Sequence, residues 1–149
     1  MKKVLIAVVA IMVLAMSACG KKEVKVDVEE LSQKLVDEVS FEDELTQVDD
    51  MAIENLYGID NAVNQRVYVS SGATAEEIAI FEFENTEDAK TGKTAALKRI
   101  EDQKDSFEFY IPEEVKRLDN AYVKEVGNYV IVCVAEGDDA ETIIDEYIK

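Results

Sequence analysis

No histidine and no tryptophan occur in the 149 residues, and there is one proline and only two cysteines. The missing histidine removes Ser-His-Asp and Cys-His catalysis and the usual zinc and haem ligand sets. The missing tryptophan argues against an aromatic-lined sugar cleft. Basic residues are also scarce: 16 against 33 acidic ones, a formal net charge of −17. That balance disfavours nucleic acid and broad contact with an anionic membrane. With no D-x-D-x-D-G loop, the acidic pairs Asp49-Asp50, Asp60-Asn61 and Asp138-Asp139 read as solvated charge or helix caps rather than calcium ligands. Neither a metal nor a cofactor is expected.

What is present begins with a segment unlike the rest. Lys2 and Lys3 precede an uncharged apolar run, Val4 to Ala15. As a helix it would cover about 18 Å, short of the roughly 30 Å hydrocarbon core, so it reads as a signal-peptide core and not a permanent span. The run ends in Leu14-Ala15-Met16-Ser17-Ala18-Cys19-Gly20. Small residues directly before a cysteine resemble the lipobox of bacterial lipoproteins, although Met16 stands where leucine is usual. The resemblance implies a diacylglycerol on the Cys19 thiol and cleavage before it. Residues 1–18 are then the signal peptide, 19–27 the lipidated cysteine and a short tether, and 28–149 a single domain. Two acyl chains at about 0.8 kcal/mol per buried CH₂ anchor stably. Losing Lys2 and Lys3 leaves 14 basic against 33 acidic residues, a net charge of −19. Cys133 would then be the only free thiol. Its apolar strand, with no neighbouring base, marks it as core rather than nucleophile.

Val28, Leu31, Leu35 and Val39 recur at helical spacing, and a second short helix is expected from Asp49 to Leu56, stopped at Gly58. The remainder contains a near-repeat. Strands Arg66–Ser70 and Glu77–Glu84 precede a helix capped by Thr86, with Ala89, Ala96, Leu97, Ile100 and Phe107 on its inner side. Strands Ala121–Val126 and Tyr129–Ala135 precede a helix capped by Asp138, with a stripe from Ala140 to Ile148. Tyr68 answers Tyr122, Gly72 answers Gly127, and Asp88-Ala89 answers Asp139-Ala140. The pattern predicts an α+β fold: two β-β-α units forming a mainly antiparallel sheet, both helices on one face, preceded by an N-terminal helical segment. The run Val130-Ile131-Val132-Cys133-Val134 is apolar at both parities, so its strand is buried on both sides. The N-terminal helices are expected to cover the second face.

Few residues stand out as chemistry. Thr91-Gly92-Lys93-Thr94 ends like a P-loop, but Glu87 occupies the required first glycine position and the segment reads as helix, so no nucleotide is expected. Ser70, Ser71, Gly72 and Thr74 form the most polar loop, a hairpin turn that could also present hydroxyls to a ligand. Tyr68 and Tyr122 are candidates for an aromatic patch, with cover beneath the helices as the alternative.

Four stretches carry a family resemblance: Phe41 to Leu45, Asn55 to Ile59, Ser71 to Phe81, and Arg99 to Gln103. They resemble small lipoproteins of clostridia and related Gram-positive bacteria that contain the domain of unknown function 4358. The resemblance implies a single-membrane envelope and a place on the outer face of the cytoplasmic membrane. It brings no catalytic residues. The expectation is a non-enzymatic binding or protein-interaction module, held to the membrane through Cys19 and meeting an envelope partner. The alternatives are an envelope hydrolase using paired carboxylates, or a structural or stress-related envelope component.

Overall fold

The computed structural model describes residues 23–149. The leader and Cys19 lie outside them. Among the described residues no helix is long and apolar enough to cross a membrane.

The chain runs α1 (Val28–Glu38), β1 (Thr46–Gln47), α2 (Asp50–Tyr57), β2 (Asn64–Val69), β3 (Glu77–Glu82), α3 (Thr86–Glu108), α4 (Glu113–Asp119), β4 (Tyr122–Val126), β5 (Tyr129–Val134) and α5 (Asp139–Tyr147). The five strands form one antiparallel sheet in the order β1-β2-β3-β5-β4. Of the three inner strands, β3 and β5 come from the apolar runs of the sequence, and every residue of β5 is buried.

The pleat divides the core in two. Ala79, Phe81, Val130 and Val132 face one side and meet Ile53 and Tyr57 of α2 and Ala89, Ala96 and Ile100 of α3. Ile78, Ile80, Ile131 and Cys133 face the other side and meet Leu31 and Leu35 of α1 and Ala140 and Ile144 of α5. The α+β fold and its antiparallel sheet are as expected, but the placement of the helices is not. The helices of the two β-β-α units lie on opposite faces, so the sequence repeat is not a packing repeat. A strand apolar on both faces gives α5 no preference of its own. With α3 filling one side, α5 pairs with α1 on the other.

Local chemistry sets the boundaries. Asp27 accepts from the amides of Glu29 and Glu30 and starts α1. Asp49 accepts from Ala52 at the start of α2, which ends on Gly58 in the left-handed region. Asn85, one residue before the expected Thr86, caps α3 through the amides of Glu87 and Asp88. The buried stripe of α3 is Ala89, Gly92, Ala96, Ile100 and Gln103. Leu97, expected inside, lies one step off that stripe and is 47 % exposed. The packed body also reaches back before α1, with Val26 buried against the α1–α5 core.

Candidate functional site

Two consecutive glutamates, Glu76 and Glu77, head β3, and each is only 1 % exposed. A strand turns adjacent side chains to opposite faces, so the pair is divided between the two layers. Each carboxylate sits among donors, as a buried charge requires.

Glu77 points to the α2–α3 side. Its carboxylate accepts from the Tyr57 hydroxyl, from Arg99 Nη2 at 2.8 Å and Nε at 3.4 Å, and from Gln103 Nε2 at 3.2 Å. Burial, followed by the Glu77 charge, holds the Tyr57 phenol well above its ordinary value, so it remains a donor. Burial opposes the charge on Arg99, but Glu77 outweighs it and the guanidinium pKa is raised.

Glu76 takes the backbone amides of Glu42 and Asp43 at 2.9 Å each and the Thr74 hydroxyl at 3.0 Å. Around it, Glu114 accepts from the Ala75 amide at 2.7 Å and from Arg117 Nη1, while Arg117 Nη2 donates to Glu42 at 2.6 Å. Among the described residues Arg117 Nε has no hydrogen-bond partner; the carboxylates of Glu136 and Glu76 lie 3.8 and 4.0 Å away. Two of the three arginines in the chain are thus committed to one strand end.

The loop candidates meet this knot. Gly72 turns at φ +95°, a conformation glycine supplies without strain. Ser70 Oγ donates to the Thr74 carbonyl, and Ser71 donates through its amide and hydroxyl to Asp43. Those bonds hold the Asp43 carboxyl below its ordinary value. Ser70, Ser71, Gly72 and Thr74 form one wall of a cleft of about 290 Å³, opposite Arg99, Gln103, Ser106 and Phe107. A second cleft of about 390 Å³ lies on the far side of the knot, beside Glu42, Arg117, Asn120 and Glu136.

The two tyrosine candidates are elsewhere. Tyr68, Ile78, Cys133 and Tyr122 are successive register partners in one row across the sheet, so the tyrosines sit at opposite ends of that row. Both pack against the α1–α5 core, and Tyr122 donates to Asp145 at 2.6 Å. They are cover and form no common patch. Cys133, between them, is buried, and burial followed by the Glu76 charge pushes its thiol up to about 12. Gly92, in the P-loop-like run, lies mid-helix against Phe83. No group of three or more potential metal-ligating side chains occurs among the described residues.

Sequence reasoning missed Glu76, Glu77, Arg99, Gln103, Glu114 and Arg117 as a unit. Apart from Glu114–Arg117 and Thr74–Glu76, the bonded partners lie 20 to 75 positions apart, so no local spacing marks them as a unit. One signal was available: the four stretches that carry the family resemblance converge here, through Glu42 and Asp43, Tyr57, Glu76 and Glu77, and Arg99 and Gln103.

No curated protein and no solved structure matches the chain. A family model described as a domain of unknown function, DUF4358, matches residues 37–135, which run from the end of α1 to the end of β5 and include the whole knot. The chain belongs to the DUF4358 family.

Proposed function

We propose that this chain is a lipid-anchored extracytoplasmic binding module, non-enzymatic, with its binding end turned away from the membrane. The observation that carries the reading is the separation of the two ends of the sheet. Glu23 and Val24 lie beside Asn85 and Asn128, next to the β4–β5 turn and the start of α3. The knot and its clefts lie at the other end, beside the β2–β3 loop. The six-residue strands between them span about 20 Å, and the 23-residue α3 spans about 34 Å. A chain tethered through Cys19 would therefore enter at one end, beside a cleft of about 1210 Å³, and present the two clefts of the knot at the other.

The disposition of Glu76 and Glu77 argues against their serving as a hydrolytic pair. Glu76 and Glu77 face opposite sides of the sheet and are fully engaged, whereas a glycosidase pair must face one space at about 5–9.5 Å. The family match assigns no activity, and the envelope partner is inferred from the anchor. Cys19→Ser tests the reading. The variant is expected to lose labelling by a fatty-acid probe and to leave the membrane fraction, while the parent stays accessible to an impermeant amine reagent on intact cells. Unchanged lipid labelling of the variant refutes the anchor, and a parent protein shielded from the reagent refutes the outward placement.

A further inference from the structure

We propose that the cleft between the β2–β3 loop and α3 binds an internal peptide unit, a secondary amide carrying a small apolar group. This rests on the reading of the domain as a binding module and specifies what it binds. A census of the hydrogen bonds around the cleft leads there. Ser70 donates to the Thr74 carbonyl, Thr74 to Glu76, Ser71 to Asp43, and Ser106 to the Asp102 carbonyl. Every cleft hydroxyl proton is therefore taken by the protein itself.

Two groups are left. Arg99 engages Glu77 through Nε and Nη2, leaving Nη1 without a hydrogen-bond partner among the described residues. Gln103 donates its amide nitrogen to Glu77, leaving Oε1 buried and without a partner among the described residues. Gln103 is 8 % exposed, and its orientation is fixed, because the reversed amide would set oxygen against the Glu77 carboxylate. An unpaired buried acceptor is costly and calls for a donor.

The cleft thus holds one unpartnered nitrogen donor and one buried, unpartnered amide acceptor on α3, four residues apart and so on the same helix face. Leu56, Val69 and Phe107 supply apolar wall. A secondary amide matches both groups: its carbonyl accepts from Arg99 Nη1 and its N–H donates to Gln103 Oε1. About 290 Å³ is at the small end of ligand cavities and suits one peptide unit with a modest side chain. The formal charge of −17 disfavours a free carboxylate and the Arg99 guanidinium disfavours an α-ammonium group, so the unit is internal to a chain rather than a terminus.

The test uses the full chain in detergent with three probes, followed through the side-chain NMR signals of Arg99 and Gln103. N-methyl-4-methylpentanamide carries both groups. Methyl 4-methylpentanoate lacks only the N–H, and N-(4-methylpentanoyl)glycine adds a carboxylate. The amide is expected to give saturable shifts, the ester at least ten-fold weaker binding, and the acid weaker binding than the amide at low salt. Gln103→Met should reduce amide affinity to the ester's level while leaving the ester unchanged, which a purely structural role would not do. Ser106→Phe, at an exposed position on the cleft rim, should block all three probes without lowering the melting temperature. Equal binding of ester and amide overturns the amide assignment but leaves a binding module. Acid binding as tight as the amide overturns the internal unit in favour of a peptide terminus. No shift from any probe overturns the site, whereas the lipid anchor stands or falls on the Cys19→Ser labelling alone.

Discussion

Gly92→Ala sets two well-known effects against each other at one position. Replacing glycine by alanine inside a helix ordinarily gains about 1 kcal/mol. Gly92, however, is on the buried stripe of α3, and a Cβ there would come within 2.5 Å of Phe83 Cε2 and closer still to Cζ. Carbon atoms prefer separations of about 3.5–4.0 Å, so ring or helix must retreat by about 1 Å or more. Phe83 has little room to do so, being 1 % exposed with the Phe81 ring 6.2 Å away, centroid to centroid. Overpacking of this kind costs about 1–3 kcal/mol, and a rigid, buried obstacle places it near the top of that range. The expected net result is a destabilisation of about 2 kcal/mol, read as a lower urea midpoint at unchanged slope. In a Phe83→Leu background the obstacle is gone, and the same change should be neutral or stabilising by about 1 kcal/mol, a strong non-additivity. If Gly92→Ala alone is as stable as the parent, close approach of α3 to Phe83 is not why glycine stands there.

Removing Arg99 as Arg99→Ala strands the buried Glu77 carboxylate and should cost about 3–5 kcal/mol in urea unfolding, with Glu77→Leu/Arg99→Leu recovering most of it. A loss below about 1 kcal/mol would mean that the pair is no structural tie. Cys133, as the sole thiol in a Cys19→Ser background, should resist an aromatic disulfide reagent at pH 8 until the chain is unfolded; prompt reaction of the native protein contradicts its burial. Its thiol also has a pH signature. Below an ordinary thiol value near 8.5–9, folded and unfolded states are both protonated and stability is unaffected. Between there and about 12 only the unfolded state loses the proton, so stability falls by up to about 1.4 kcal/mol per pH unit. Tyr57 titrates in the same direction at high pH, so the Cys133 share is the difference between the parent and Cys133→Ala, and parallel curves refute it.

Periodicity and turn chemistry were enough for eight of the ten elements because each carries its own pattern. The α1 stripe of Val28, Leu31, Leu35 and Val39 is buried throughout, and the Gly58 and Gly127 turns fall where expected. Helix α4 escaped notice because seven residues hold too few turns for a period to emerge. Its only marks are Pro112 at the start, Glu113 and Glu114 in the first turn, and Lys116 and Arg117 in the last. Missing α4 meant missing Arg117, the nearest positive charge to the buried Glu76 carboxylate. Two acids at the head of a strand otherwise read as solvent-facing; the loop from Phe41 to Leu45 with α4 closes over Glu76, while Tyr57, Arg99 and Gln103 close over Glu77. Strand β1 pairs two residues with β2, too few to leave a pattern. The Ser70–Thr74 loop was legible as a turn, but its position opposite Arg99 and Gln103 depends on α3 returning along the whole sheet.

The entry of the chain has a mechanical consequence. Residues Val24 to Val28 lie against the α1–α5 core, and α1 then rests on β3 and β2 rather than on the β4 edge. Tension arriving from a surface anchor would load a helix seated over the middle of the sheet. Its first response would be to lift α1 away from Ile78 and Ile80, exposing the layer that α1 shares with α5. The α2–α3 layer, and Glu77 with its three partners, lie on the opposite side of the sheet from that pull.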